Sequence, residues 1–118
     1  MQTIHEALEK LQTSKFRSSF RLTKKDKEQL NRYGFEKIKQ HARDFVRLKI
    51  ATYDPEKDGK QTPMHGSPVF KAMHATACCC RGCLEKWYKV PKERPLTGNE
   101  QERLVNLLMA WLEGQIEI

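Results

Sequence analysis

This chain predicts a mainly α fold: a single compact domain of about five short helices, with a long irregular loop and a Cys/His metal site. Three observations carry that expectation. Apolar residues recur at helical spacing in several stretches, helix-start signals stand ahead of them, and one polar run punctuated by Pro and Gly interrupts the pattern. At 118 residues the chain can bury roughly two thirds of its unfolded surface around one core. The domain is therefore expected to span 1–118.

Ile4, Ala7, Leu8 and Leu11 define a first amphipathic helix that Thr13-Ser14 ends. In Lys15 to Leu22, cations and aromatics interleave without helical period, which predicts an extended or irregular segment. Phe16, Phe20 and Leu22 are expected to alternate into the core while Lys15, Arg17 and Arg21 face water. Thr23 with Asp26 forms a capping box, and Gly34 suits a left-handed stop about ten residues on. A further helix from about Phe35 to Ile50 puts Phe35, Ile38, Ala42, Phe45, Val46 and Ile50 on one face. Residues 51 to 67 read as a loop folding over the site that follows. Ser67-Pro68 is an N-cap and first helical position for a short helix ending near His74. Another short helix starts near Arg81 and runs to Tyr88. After a connector bounded by Pro91 and Pro95, the Thr97–Glu100 capping box opens the last helix, with Leu104, Val105, Leu107, Leu108, Trp111 and Leu112 as its apolar stripe.

All four cysteines lie between Cys78 and Cys83. A thiol fills a core no better than alanine or valine, so such density points to chemistry rather than packing. Cys80 and Cys83 are a C-x2-C pair, Cys79 and Cys83 a C-x3-C pair, and His74 precedes them closely. That spacing lets one segment wrap a tetrahedral zinc through His74, Cys79, Cys80 and Cys83, with Zn–S near about 2.3 Å. An iron-sulfur cluster is the weaker alternative, because three consecutive cysteines do not all point at one cluster. His65 and Glu85 are candidates for an additional ligand or an acid/base.

The net charge is +7, and residues 1 to 50 hold thirteen Lys or Arg against six Asp or Glu. Lys39, Arg43 and Arg47 fall four apart on one helical face. With Lys15, Arg17 and Arg21 they are the candidate contacts to DNA, RNA or another polyanion. No apolar run approaches the roughly 20 residues of a membrane span, and no export signal opens the chain. A reducing cytoplasm is the expected setting, which suits thiolate ligands better than disulfides.

The motifs Lys15-Phe16-Arg17-Ser18-Ser19-Phe20, Gly59-Lys60-Gln61-Thr62-Pro63-Met64, Pro68-Val69-Phe70, His74-Ala75-Thr76 and Cys79-Cys80-Arg81-Gly82-Cys83-Leu84-Glu85-Lys86-Trp87 together resemble an uncharacterised, mainly bacterial family, domain of unknown function 4186. The resemblance runs from about Leu11 to Trp111. His74, Cys79, Cys80 and Cys83 match that family's pattern, whereas Ser67 and Tyr88 stand where members often have histidine, and His65 and Cys78 where they often have other residues. One intact domain and a functional role for His74 and the last three cysteines are what the resemblance implies; it carries no activity.

The expected function is a small basic zinc-supported binding protein that contacts nucleic acid or another polyanion. A metal-dependent enzyme of unknown reaction and a thiol/redox protein are the alternatives. The chain lacks H-E-x-x-H and the zinc-deaminase signature, and no βαβ unit accompanies its C-x2-C pair.

Overall fold

The computed structural model describes residues 2–116 and shows six helices, with no strand among the described residues. Helix α1 (Ile4–Gln12) starts at a Thr3–Glu6 capping box, in which each side chain accepts the other's backbone N–H. Helix α2 (Lys15–Ser18) follows at once. Helix α3 (Lys24–Phe45) opens on the Thr23–Asp26 box, breaks at Gly34 (φ 79°, ψ 161°), and continues into a π-helical turn over Val46–Ile50. Gly34 thus separates two helical stretches where the sequence predicted a stop. After the loop come α4 (Pro68–Ala75), α5 (Arg81–Tyr88) and α6 (Gly98–Ile116).

Helix α6 packs on α1, α3 and α4, and its Leu104, Val105, Leu108 and Leu112 meet Ile38, Ala42, Val46, Val69 and Met73 in one buried cluster. Ile38, Ala42, Val46 and Ile50 are fully buried and Phe35 and Phe45 pack partly buried against them, so the predicted apolar face is the core face. None of the helices over the described residues is long and apolar enough to cross a membrane.

Two features depart from expectation. Lys15–Ser18 is helical rather than extended, because the Ser14 hydroxyl accepts the Arg17 amide at 3.1 Å and caps a single turn. The turn exchanges the places of Phe16 and Arg17, while Lys15 and Arg21 stay exposed as expected. Phe16 is 57% exposed while Arg17 is only 9% exposed; Leu22 alone of the three expected inward residues is fully packed, with Phe20 half-buried. The second departure is the junction between α4 and α5. Cys78 donates its amide to Met73 O (2.8 Å) and Ala77 to His74 O (3.4 Å), a Schellman cap with alanine at the left-handed position (φ 60°) where glycine is usual. That turn drives Cys78 into the core and leaves Cys79 and Cys80 facing the next helix.

Candidate metal centre

Three of the four cysteines converge. The sulfurs of Cys79, Cys80 and Cys83 all lie within 4.8 Å of one another, and Cys79 Sγ and Cys83 Sγ are 3.7 Å apart. Cys80 is the N-cap of α5, its sulfur accepting the Cys83 amide at 3.4 Å, so the helix start itself brings the two sulfurs of the C-x2-C pair together.

The loop that precedes α4 closes over this helix start. Asp58 Oδ1 accepts the Gly82 amide and Gln61 Oε1 the Arg81 amide, both at 3.0 Å, while Thr62 donates to Cys79 O at 2.7 Å. A Cβ on Gly82 would stand 2.7 Å from Asp58 Oδ2 and displace the carboxylate that holds the turn. The loop lies over the site as predicted, but through Asp58, Gln61 and Thr62 rather than His65. The His65 ring is exposed, near the Lys71 ammonium at 3.4 Å.

Arg17 reaches in from α2. Its guanidinium donates to His74 O (2.6 Å), Cys79 Sγ (3.6 Å) and Cys83 Sγ (3.2 Å), and it has no carboxylate partner among the described residues. A buried cation without an acid must be compensated by other groups, and here one carbonyl and two sulfurs do so. Cys79 is pulled down to about 7, first by its hydrogen bond with Cys83 and then, against its burial, by Arg17. Cys83 is pushed up, first by its hydrogen bond with Cys79 and then by burial. Burial raises Cys80, and it raises Cys78 to about 12.

The remaining sequence candidates are placed elsewhere. His74 is buried, but its Nε2 faces the carbonyls of Thr62 and Pro63, each at 3.1 Å, and its ring stacks on Phe20 at 5.8 Å; it is not one of the three-sulfur group. Glu85 accepts the Lys92 amide at 3.1 Å and so ties α5 to the connector. Cys78 is fully buried, its thiol against Thr76 O at 3.5 Å, where Tyr88 also donates its hydroxyl. Of the basic ridge, Arg43 pairs with Glu102 (3.1 Å) and Arg47 with Asp44 (3.2 Å). Lys39 is half-buried; Lys15 and Arg21 are exposed, with Arg21 donating to Ser18 O and Phe20 O. Sequence reasoning missed Arg17 as part of the site, and nothing local marks it: only the tertiary position of α2 turns this cation inward.

A family model described as "Domain of unknown function (DUF4186)" matches residues 5–113, almost the whole chain. No solved structure matches.

Proposed function

We propose that this chain, which belongs to the DUF4186 family, is a metal-thiolate protein whose Cys79, Cys80 and Cys83 bind one thiophilic divalent ion such as zinc. The buried Arg17 guanidinium carries this reading, because its side-chain partners are the sulfurs of Cys79 and Cys83. Three thiolates around a divalent ion leave one negative charge. One guanidinium cancels it in the low-dielectric interior, and such charge-assisted contacts also orient the ligands. Sulfurs at about 2.3 Å from a common tetrahedral ion stand about 3.8 Å apart. Cys79 and Cys83 already have that spacing at 3.7 Å, and Cys80 Sγ lies within 4.8 Å of both.

Three sulfurs leave a fourth position for water or an external donor, unless His74 gives up its two carbonyl partners to take it. Titration of the metal-free chain with cobalt(II) tests the reading through sulfur-to-metal charge-transfer absorption. Saturation near about one equivalent with thiolate bands is expected. Arg17→Gln should keep the bands and weaken affinity by roughly 10- to 100-fold. Cys78→Ser should bind as the parent does. Absorption lacking thiolate bands, or unaffected by Cys79→Ser, discards the assignment.

A polyanion partner is the companion proposal, supported by the +7 charge and its concentration in residues 1 to 50. The ion pairs of Arg43 and Arg47 take two of the predicted contacts out of play, which leaves Lys39, Lys15 and Arg21 among the residues singled out for phosphate. Three phosphate contacts predict a shallow salt dependence, a log–log slope of about −2.7 for duplex DNA. Lys15→Glu with Lys39→Glu should flatten it. No binding of labelled duplex or single-stranded oligonucleotide at low ionic strength ends this proposal and leaves the metal centre untouched.

A further inference from the structure

A cavity of about 530 Å³ lies away from the sulfurs, between α1, the end of α5, the connector and the start of α6. Small-molecule sites fall in the range of roughly 300–1,000 Å³. Ile4, Ala7, Val90, Leu96, Leu104 and Leu107 supply its apolar lining, and Lys89, Arg94 and Arg103 its cations. We infer that this cavity binds a small amphipathic anion, a carboxylic acid with an apolar chain, with its body on the apolar lining and its head at Arg103 and Lys89.

Charge selects the head. The one acid lining the cavity is Glu100, and its oxygens are already engaged: Oε1 by Arg94 (2.7 Å) and the Thr97 amide (2.9 Å), Oε2 by Arg94 (2.8 Å). Arg94 and Glu100 therefore cancel. Arg103 donates only to the Gln2 carbonyl at 3.0 Å, and Lys89 is in none of the ion pairs among the described residues. Two positive charges remain over an apolar lining, which is complementary to a carboxylate with a hydrocarbon tail and opposed to an amine.

The backbone is arranged for this. Lys89 adopts the left-handed conformation (φ 59°, ψ 31°), strained for a residue with a side chain, and that reversal is what turns Lys89 and Val90 into the cavity wall. The connector opposite is pinned from behind by the buried Arg81, which donates to Pro91 O (2.7 Å) and Arg94 O (2.9 Å). Ile4 is 40% exposed, an apolar side chain at the cavity that an apolar ligand would cover. An eight-residue helix separates this place from Cys80, a length of about 12 Å, so the inference does not rest on the metal reading.

The test uses the full chain and displacement of the fluorescent anion 1-anilinonaphthalene-8-sulfonate by decanoate, decanol and decylamine. Decanoate should displace it saturably and at least about tenfold more tightly than decanol, with decylamine weakest. Arg103→Gln should remove the preference for decanoate over decanol. Ile4→Asp should weaken decanoate and decanol, and it should keep the fold, because an acid in the first turn of α1 suits the helix dipole. Both variants are read only at a wild-type unfolding midpoint; if one falls short, Lys89→Gln or Ile4→Ser replaces it. No saturable displacement, equal affinity for decanoate and decanol, or variants that bind like the parent would overturn the inference.

Discussion

Replacing Cys83 with serine is expected to lower the thermal midpoint of the metal-loaded protein by about 10 °C or more. The size follows from what the sulfur does. Cys83 lies in the first turn of α5, 3.7 Å from Cys79 Sγ and 3.2 Å from the Arg17 guanidinium. Its loss removes a metal ligand and one of the two sulfurs that compensate a buried cation. Metal-binding free energy is folding free energy where the ligands are brought together only in the folded state, so a loss of about 3 kcal/mol is a modest expectation. In a domain of this size each kcal/mol moves the midpoint by roughly 3–5 °C. A chelator should take the parent protein most of the way down to the variant's midpoint and leave the variant where it is. Cys78→Ala is the control: a fully buried thiol outside the three-sulfur group, whose removal costs core packing of about 1 kcal/mol and keeps the response to chelator. If Cys83→Ser and chelator both leave the midpoint unchanged, no ion ties α5 to the rest.

Much of the helical frame was legible because its signals are local. Thr23–Asp26, Ser67–Pro68 and Thr97–Glu100 each satisfy amides within one turn, so residue identity alone places the start of α3, α4 and α6. The three-sulfur group was legible for the same reason, since a helix that begins at Cys80 brings Cys83 back within one turn. What sequence could not place depends on distant partners. Spacing made His74 a ligand, but its imidazole is oriented by Thr62 and Pro63 carbonyls from a loop whose course spacing does not reveal. Arg17 read as a solvent-facing cation because its neighbours alternate, and only its two sulfur partners, 62 and 66 residues away, explain its burial. The aligned cations of α3 read as a free ridge, yet Glu102 on α6 neutralises Arg43. In each case a polar side chain answers to a group contributed by another element.

Arg81 is the extreme instance, and replacing it with leucine should cost about 3 kcal/mol. Its side chain is fully buried and in none of the ion pairs among the described residues. The charge is taken up by carbonyl dipoles: Nη1 donates to Ala51 O at 3.0 Å, and Nη2 to Pro91 O at 2.7 Å and Arg94 O at 2.9 Å, while Nε has no partner. Burial accordingly lowers its affinity for the proton. Two terms oppose each other on substitution. Leucine abolishes the desolvation of a cation, which favours the variant; it also strands three carbonyls, each worth about 1–3 kcal/mol if it stays buried and unpaired. Ala51 O keeps the Leu96 amide at 2.8 Å, and Pro91 and Arg94 are exposed enough to turn towards water, so the cost falls well short of the sum. That turning is the structural consequence. Without the guanidinium the segment from Pro91 to Arg94 loses its tie to the loop at Ala51, and hydrogen exchange should rise there first. Lysine carries the charge but lacks the planar fork that serves three acceptors at once, so Arg81→Lys should recover less than half of the loss. Urea unfolding of the two variants decides it: an Arg81→Leu midpoint equal to the parent's would show that the buried cation ties nothing, and full recovery by lysine would show that charge rather than geometry matters.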